Sequence, residues 1–202
     1  MTGQSFAALI AAAGRSSRMG TPKALLPLGG ETVVERLIGV FHEAGIRDVV
    51  VVVGHGFHLL VPLLEKRAAR WVMNDRSDDG MFSSVKVGAA FLGREKGRKA
   101  FFFHPVDIPL IRPETLRTLT GAFREGETDV CRPCFQGRRG HPPLISWALI
   151  PSILEFAGPE GLRSFLSRRD LRSLDVECAD PGVLRGMNTP EEYERLRENL
   201  LV

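Results

Sequence analysis

Apolar and polar positions along the chain alternate between strand-like runs and helix-like spacing. Phe6 to Ala12 is an unbroken apolar run of strand length that feeds a loop of small residues and cations, Ala13 to Lys23. Thr32-Val-Val-Glu35 is a capping-box pattern, predicting a helix through about Ala44 that Gly45 closes. Within it Leu37, Ile38, Val40 and Phe41 recur at helical spacing and face a core. Val49 to Val53 is β-branched throughout, a strand apolar on both faces, as a parallel sheet covered on each side requires. A helix over His58 to Arg67, a short strand over Arg70 to Met73, a polar loop from Asn74 to Gly80 and a helix over Phe82 to Leu92 follow. Lys99 to His104 reads as a buried strand, Pro113 to Arg124 as a helix, and Asp129 to Pro133 as a strand. Gly137 to Pro143 reads as a loop by its Gly and Pro content. Helices over Trp147 to Phe156 and Gly161 to Arg168, and a strand over Ser173 to Val176, complete the body. Thr189, Pro190 and Glu192 cap a final helix.

Strands alternating with helices of about a dozen residues predict an α/β fold: three layers, a mostly parallel Rossmann-like sheet with helices on both faces. No internal repeat or low-complexity linker divides the 202 residues, so a single domain over 1–202 is expected. In such sheets ligands bind beyond the carboxyl ends of the strands. The loops after the first strand, the Arg70 strand and the Lys99 strand are therefore expected to meet at one crevice. With 27 basic and 24 acidic residues the net charge is +3, too balanced for bulk nucleic-acid binding. No apolar run is long enough for a membrane span, and the N-terminal apolar stretch lacks a basic lead and reads as a buried strand. Three cysteines, an odd number, argue against a disulfide framework and for a reducing cytoplasm.

The first loop carries the densest candidate chemistry. Arg15, Arg18 and Lys23 offer positive charge, and Gly14 and Gly20 allow close backbone approach, which suits a nucleoside triphosphate; a surface loop with solvated cations is the plain alternative. Asp107, between Pro105 and Pro109 just past a buried strand, suits a hard divalent cation such as magnesium, or a turn ahead of Pro113. His104, beside three Phe residues, reads as a packed edge residue. Ser83 and Ser84 stand where a helix begins and suit base or ribose recognition, although helix capping explains them nearly as well. Arg138, Arg139 and His141 could meet an anionic substrate or form a solvated basic hairpin. Cys131-Arg-Pro-Cys134 has the spacing of a zinc knuckle or redox pair, but no second ligand pair exists and coincidence is the better reading. Neither GxxxxGK[ST] nor GxGxxG is present.

Leu9 to Pro27 resembles the signature LAAGxSxRMGxPKxLLP of nucleotidyltransferases with a MobA-like NTP transferase domain. Asn74 to Gly88 resembles the same family's N-x5-GMxSSVxxG, His104 to Ile111 its xPxDxPLV, and Gly137 to Ile145 its GxxGHPxLI. Asn188 to Tyr193 stands where a DxDTPEDY segment is expected. Within the family the chain most resembles the molybdenum cofactor cytidylyltransferases, which transfer CMP from CTP to molybdopterin and release pyrophosphate. The resemblance implies a sheet of the nucleotide-diphospho-sugar transferase type and Mg2+ as cofactor. It implies that Ala12, Ala13 and Gly14 line the nucleotide, with Ser83 and Ser84 near its base and His141 near the acceptor. Arg18, Lys23 and Asp107 become the catalytic set, with Arg18 and Lys23 on the triphosphate and Asp107 on magnesium. Ala-Ala-Gly at 12–14 leans towards CTP rather than GTP. The chain departs from the pattern at Gly186 and Asn188, where two carboxylates are expected; Asn188 keeps a carbonyl oxygen for the metal.

The expected activity is nucleotidyl transfer to a phosphorylated small molecule, most simply molybdopterin, with a molybdoenzyme as a further partner. Two alternatives stand beside it. One is a sugar- or alcohol-phosphate acceptor on the same scaffold; the other is a non-catalytic nucleotide-binding maturation factor.

Overall fold

The computed structural model describes residues 5–14 and 19–198; Arg15 and Arg18 lie outside the described residues. The chain opens with β1 (Phe6–Ala11), then a hairpin of β2 (Pro27–Leu28) and β3 (Glu31–Thr32) that leads into α1 (Val33–Glu43). Next come β4 (Asp48–Val53), α2 (Val61–Lys66), β5 (Arg70–Met73), α3 (Met81–Leu92), β6 (Ala100–Pro105) and α4 (Pro113–Ala122). The second half holds β7 (Val130–Phe135), β8 (Arg138–Arg139), β9 (Leu144–Ser146), α5 (Ile150–Glu155), α6 (Leu162–Leu166), β10 (Ser173–Glu177) and α7 (Pro190–Glu198).

The main sheet runs in the order β10-β7-β9-β6-β1-β4-β5, with β8 added to β7. Pairs β4–β5, β1–β4, β1–β6 and β7–β10 are parallel; β9 runs against both β6 and β7. The sheet is therefore mostly parallel, with β9 as a reversed strand inside it. Strand β4 shows why there are three layers. Val49, Val51 and Val53 pack with Leu37, Ile38, Leu64 and Leu116 from α1, α2 and α4. Val50 and Val52 pack on the other face with Val85, Ala89, Ile150 and Ile153 from α3 and α5. Alternate residues of one strand thus feed two cores, each fully buried Val contributing roughly 1.5–3 kcal/mol over its exposed state.

Thr32 caps α1 as the pattern predicts: Glu35 N–H donates to Thr32 Oγ1 at 3.4 Å, and Thr32 N–H donates to the Glu35 carboxylate at 3.1 Å. Four expectations need correction. The helices expected at 58–67 and 147–156 each begin as a short 3-10 turn, at Phe57–Leu59 and Trp147–Leu149, with the α-helix following. Pro62 and Pro151 explain the break, since a residue without an N–H belongs in a helix's first turn. The strand expected from Asp129 begins at Val130, because the Asp129 carboxylate is held by Arg172 at 2.7 Å. The loop expected at 137–143 begins as β8, which pairs back on β7 through Cys134 and Phe135.

Candidate functional site

The carboxyl ends of β1, β4 and β6 lie side by side: Ala12 N–H donates to Val52 O at 2.9 Å and Val106 N–H to Ala11 O at 3.1 Å. The chain leaving β1 crosses the chain leaving β4 at Gly54, where a Cβ would lie 2.5 Å from Ala13 O, so only glycine lets these loops touch. Beyond them lies a cavity of about 230 Å³ lined by Ala12, Gly14, Lys23, Met81, Asp107 and Asn188, among others. Loops after β1 and β6 meet at this crevice, and Met81 at the start of α3 reaches it, while Asp79 and Gly80 of the loop after β5 line the larger cavity beside it.

Lys23 is the centre of it. Its Nζ donates to Asp107 Oδ2 at 3.0 Å and to Asn188 Oδ1 at 2.9 Å. Asp107 follows β6 directly, and Asn188 reaches it from the far end of the chain because Met187 N–H donates to Asp107 O at 2.8 Å. Two further bonds pin this segment: Tyr193 O–H donates to the Pro27 carbonyl, and Asn188 N–H donates to the Glu192 carboxylate. A carboxylate oxygen and an amide oxygen therefore converge on one cationic point. These two oxygens are groups that could hold a hard cation completing its shell with water and phosphate oxygens.

A larger cavity of about 800 Å³ adjoins this one, and Met81 lines both. Its walls include Phe82, Phe103, Leu162 and Leu166 as apolar surface and Arg132, Arg139, Arg163 and His141 as polar groups. Arg132 is buried and fixed, donating from Nε to Asp175 Oδ1 at 3.1 Å and from a terminal nitrogen to Leu166 O at 3.1 Å. Arg139 holds the same carboxylate, Nε to Oδ2 at 2.9 Å. Burial pushes the His141 imidazole below its usual range, and the nearby Asp107 carboxylate pulls it partly back up. His104 lies beneath, fully buried, with Nε2 donating to Ile108 O at 2.7 Å and its ring 6.4 Å from that of His141. Burial lowers its pKa from 6.5 to about 3, so it stays neutral. It sits on a central strand rather than at an edge, and it braces the loop that carries Asp107.

Of the expected site residues, Ala12, Gly14, Lys23, Asp107 and Asn188 are brought together, and His141 faces the adjoining cavity. Ala13 is buried just beneath the crevice floor. Ser83 and Ser84 line neither of these two cavities. Both accept hydrogen bonds from Asn74 Nδ2, at 2.9 and 3.0 Å, and Ser83 Oγ donates to Gly80 O at 2.8 Å. Their hydroxyls tie the Asn74–Gly80 loop to α3 and cap no helical N–H. Cys131 and Cys134 stand three apart on a strand and so point to opposite faces, which bars a shared metal. The sequence reading passed over Arg132, although a cation inside a buried strand is itself an exception that asks for a reason. Arg163, Phe82 and Phe103 carried no local signal, since each joins the wall only through tertiary packing.

Residues 8–174 match the family described as MobA-like NTP transferase domain. The nicotine blue oxidoreductase of Paenarthrobacter nicotinovorans is 28% identical over 197 residues, covering 93% of this chain and 94% of that protein. Among solved structures, a nucleotidyl transferase from Methanothermobacter thermautotroptrophicus is 27% identical with a TM-score of 0.82, covering 98% of each chain. A Mycobacterium tuberculosis H37Rv structure at 24% identity shares the fold with a TM-score of 0.80, over 98% of this chain and 100% of that one.

Proposed function

Because the chain belongs to the MobA-like NTP transferase family it is a nucleotidyltransferase, and we propose that it transfers CMP from CTP to a phosphorylated acceptor, molybdopterin, releasing pyrophosphate. One observation carries this reading: Lys23 Nζ sits between Asp107 Oδ2 and Asn188 Oδ1 at the wall of the smaller cavity. The larger cavity next to it offers apolar walls and fixed guanidinium groups for a planar, anionic acceptor. The Ala-Ala-Gly turn at 12–14 favours cytidine.

In this reading an acceptor phosphate oxygen attacks the α-phosphorus in line, a new P–O bond forms, and the bond to the β-phosphate oxygen breaks. Little covalent work falls to the protein; placement and charge neutralisation carry the reaction. The backbone of Ala12 to Gly14 holds the nucleotide, and Lys23 turns to the phosphates and balances the charge that builds on the departing pyrophosphate. With Lys23 on the phosphates, Asp107 and Asn188 would hold a divalent cation, magnesium in this proposal. The cation would supply further charge neutralisation at the phosphates. Arg132 and Arg139, both held by Asp175, orient the acceptor, with His141 beside it as a neutral imidazole.

The test is pyrophosphate release from each of four NTPs, with molybdopterin and with sugar and alcohol phosphates, in the presence of magnesium. CTP with molybdopterin is expected to turn over fastest. Lys23→Ala and Asp107→Ala should each lower the rate ~100-fold or more while circular dichroism stays unchanged. Near wild-type release from either variant overturns the assignment.

The relative named nicotine blue oxidoreductase favours a second reading, in which the crevice holds a nucleotide cofactor and the larger cavity a planar molecule that is reduced. That reading predicts a redox turnover and no pyrophosphate from any NTP, so the same assay separates the two.

A further inference from the structure

A third cavity, of about 390 Å³, shares no lining residue with the two already described. Four guanidinium groups line it, from Arg36, Arg67, Arg112 and Arg185. Arg67 is committed to Glu31 at 2.6 Å. Arg112 is in a looser ion pair with Asp180, Nε to Oδ1 at 4.0 Å, while Arg36 and Arg185 make no ion pair among the described residues. Arg36 donates from Nε to Pro109 O at 3.4 Å, and Arg112 donates from a terminal nitrogen to Ala179 O at 3.4 Å. Both acceptors are neutral carbonyls. Arg185 is exposed, and its guanidinium has no partner among the described residues.

Three carboxylates, Glu31, Glu43 and Asp180, line the cavity with the four guanidinium groups and leave one positive charge in excess. The Asp180 carboxylate is 3% exposed and lies 4.0 Å from Arg112 Nε. It is turned onto Arg112 N–H at 2.9 Å, Thr115 Oγ1 at 2.7 Å and Gly182 N–H at 2.9 Å. Glu43 stands exposed at the rim. Helix α4 starts at this wall, and the Asp180 carboxylate already meets its first turn, accepting from Arg112 N–H and Thr115 Oγ1. Packing makes the wall stiff: a Cβ at Gly182 would lie 2.0 Å from Leu110 O. Both walls lead straight to the crevice, one through Pro109 to Asp107, the other through Arg185 to Asn188.

We propose that this cavity is a second anion site that takes a diphosphate group through Arg36, Arg112 and Arg185. Arginine forks match phosphate oxygens in pairs, which three solvated lysines would not do. The diphosphate has two sources: free pyrophosphate, or the tail of a nucleoside diphosphate.

Isothermal titration of the full chain with inorganic pyrophosphate and, separately, with CDP tests this. Lys23→Ala is used as background, so that the crevice is weakened and the second site dominates. Pyrophosphate binding is expected to persist in Lys23→Ala and to fall at least tenfold when Arg185→Glu is added. Arg185 is exposed and unpartnered among the described residues, so this change leaves folding intact, as circular dichroism will verify; Arg36→Gln is the second variant and should weaken binding in the same direction. A larger Arg185-dependent affinity for CDP than for pyrophosphate identifies a nucleotide tail, and the reverse identifies free pyrophosphate; both support the site. Loss of all binding in Lys23→Ala, or binding indifferent to Arg185→Glu, overturns it. The readout is binding rather than turnover, so failure of the proposed transfer reaction leaves this result independent.

Discussion

An ammonium placed between Asp107 and Asn188 would compete with a divalent cation proposed to use the same two oxygens. Removing it should therefore have two opposite effects. Lys23→Ala is expected to bind Mn2+ several-fold more tightly than the parent chain without nucleotide, as measured by electron paramagnetic resonance, while nucleotide binding weakens. Unchanged Mn2+ affinity would show that the lysine and the metal use different places. His104 gives a second residue-level expectation. Folding keeps it neutral down to about 3, whereas an unfolded histidine takes up a proton near 6.5. The unfolded state binds more protons between those values, so stability falls as pH drops from about 6.5 towards 3, by on the order of a few kcal/mol. His104→Gln keeps a donor for Ile108 O and does not titrate. Urea denaturation between pH 7 and pH 4 should show a shallower loss for this variant than for the parent; parallel curves would contradict the assignment.

At the level of elements, α1 shows how much a short pattern can settle. Thr32 and Glu35 satisfy each other's backbone donors, and the apolar face that follows packs on β4. Thr32→Ala should cost ~1 kcal/mol in a urea titration, with pyrophosphate release per folded molecule unchanged. An equal loss of activity would mean that the β2–β3 hairpin, which lies between Lys23 and α1, transmits the change. Strand β4 was legible for a similar reason: two-sided burial leaves a β-branched run without polar interruption. Strands β8 and β9 were not, because each is only two or three residues long and its partner, β7, is brought to it by the hairpin rather than by its own composition.

For the molecule as a whole, two adjoining cavities with Met81 between them imply a division of labour. Arg139→Ala should raise the acceptor KM roughly tenfold and leave the NTP KM unchanged, since its guanidinium lies on the larger cavity alone. Steady-state kinetics with each substrate varied in turn will check this, and an equal rise in both values would contradict it. The sequence alone determined the α/β class and the two-sided sheet, because periodicity and caps are local, and the family resemblance grouped Lys23 with Asp107 in one expected site. Only the tertiary structure decided that Asn188 meets Lys23 across 165 positions, that Ser83 and Ser84 serve their own loop, and that Arg132 and Arg139 share Asp175. Those facts depend on which surfaces come together when two cores close on one sheet, and no spacing along the chain encodes them.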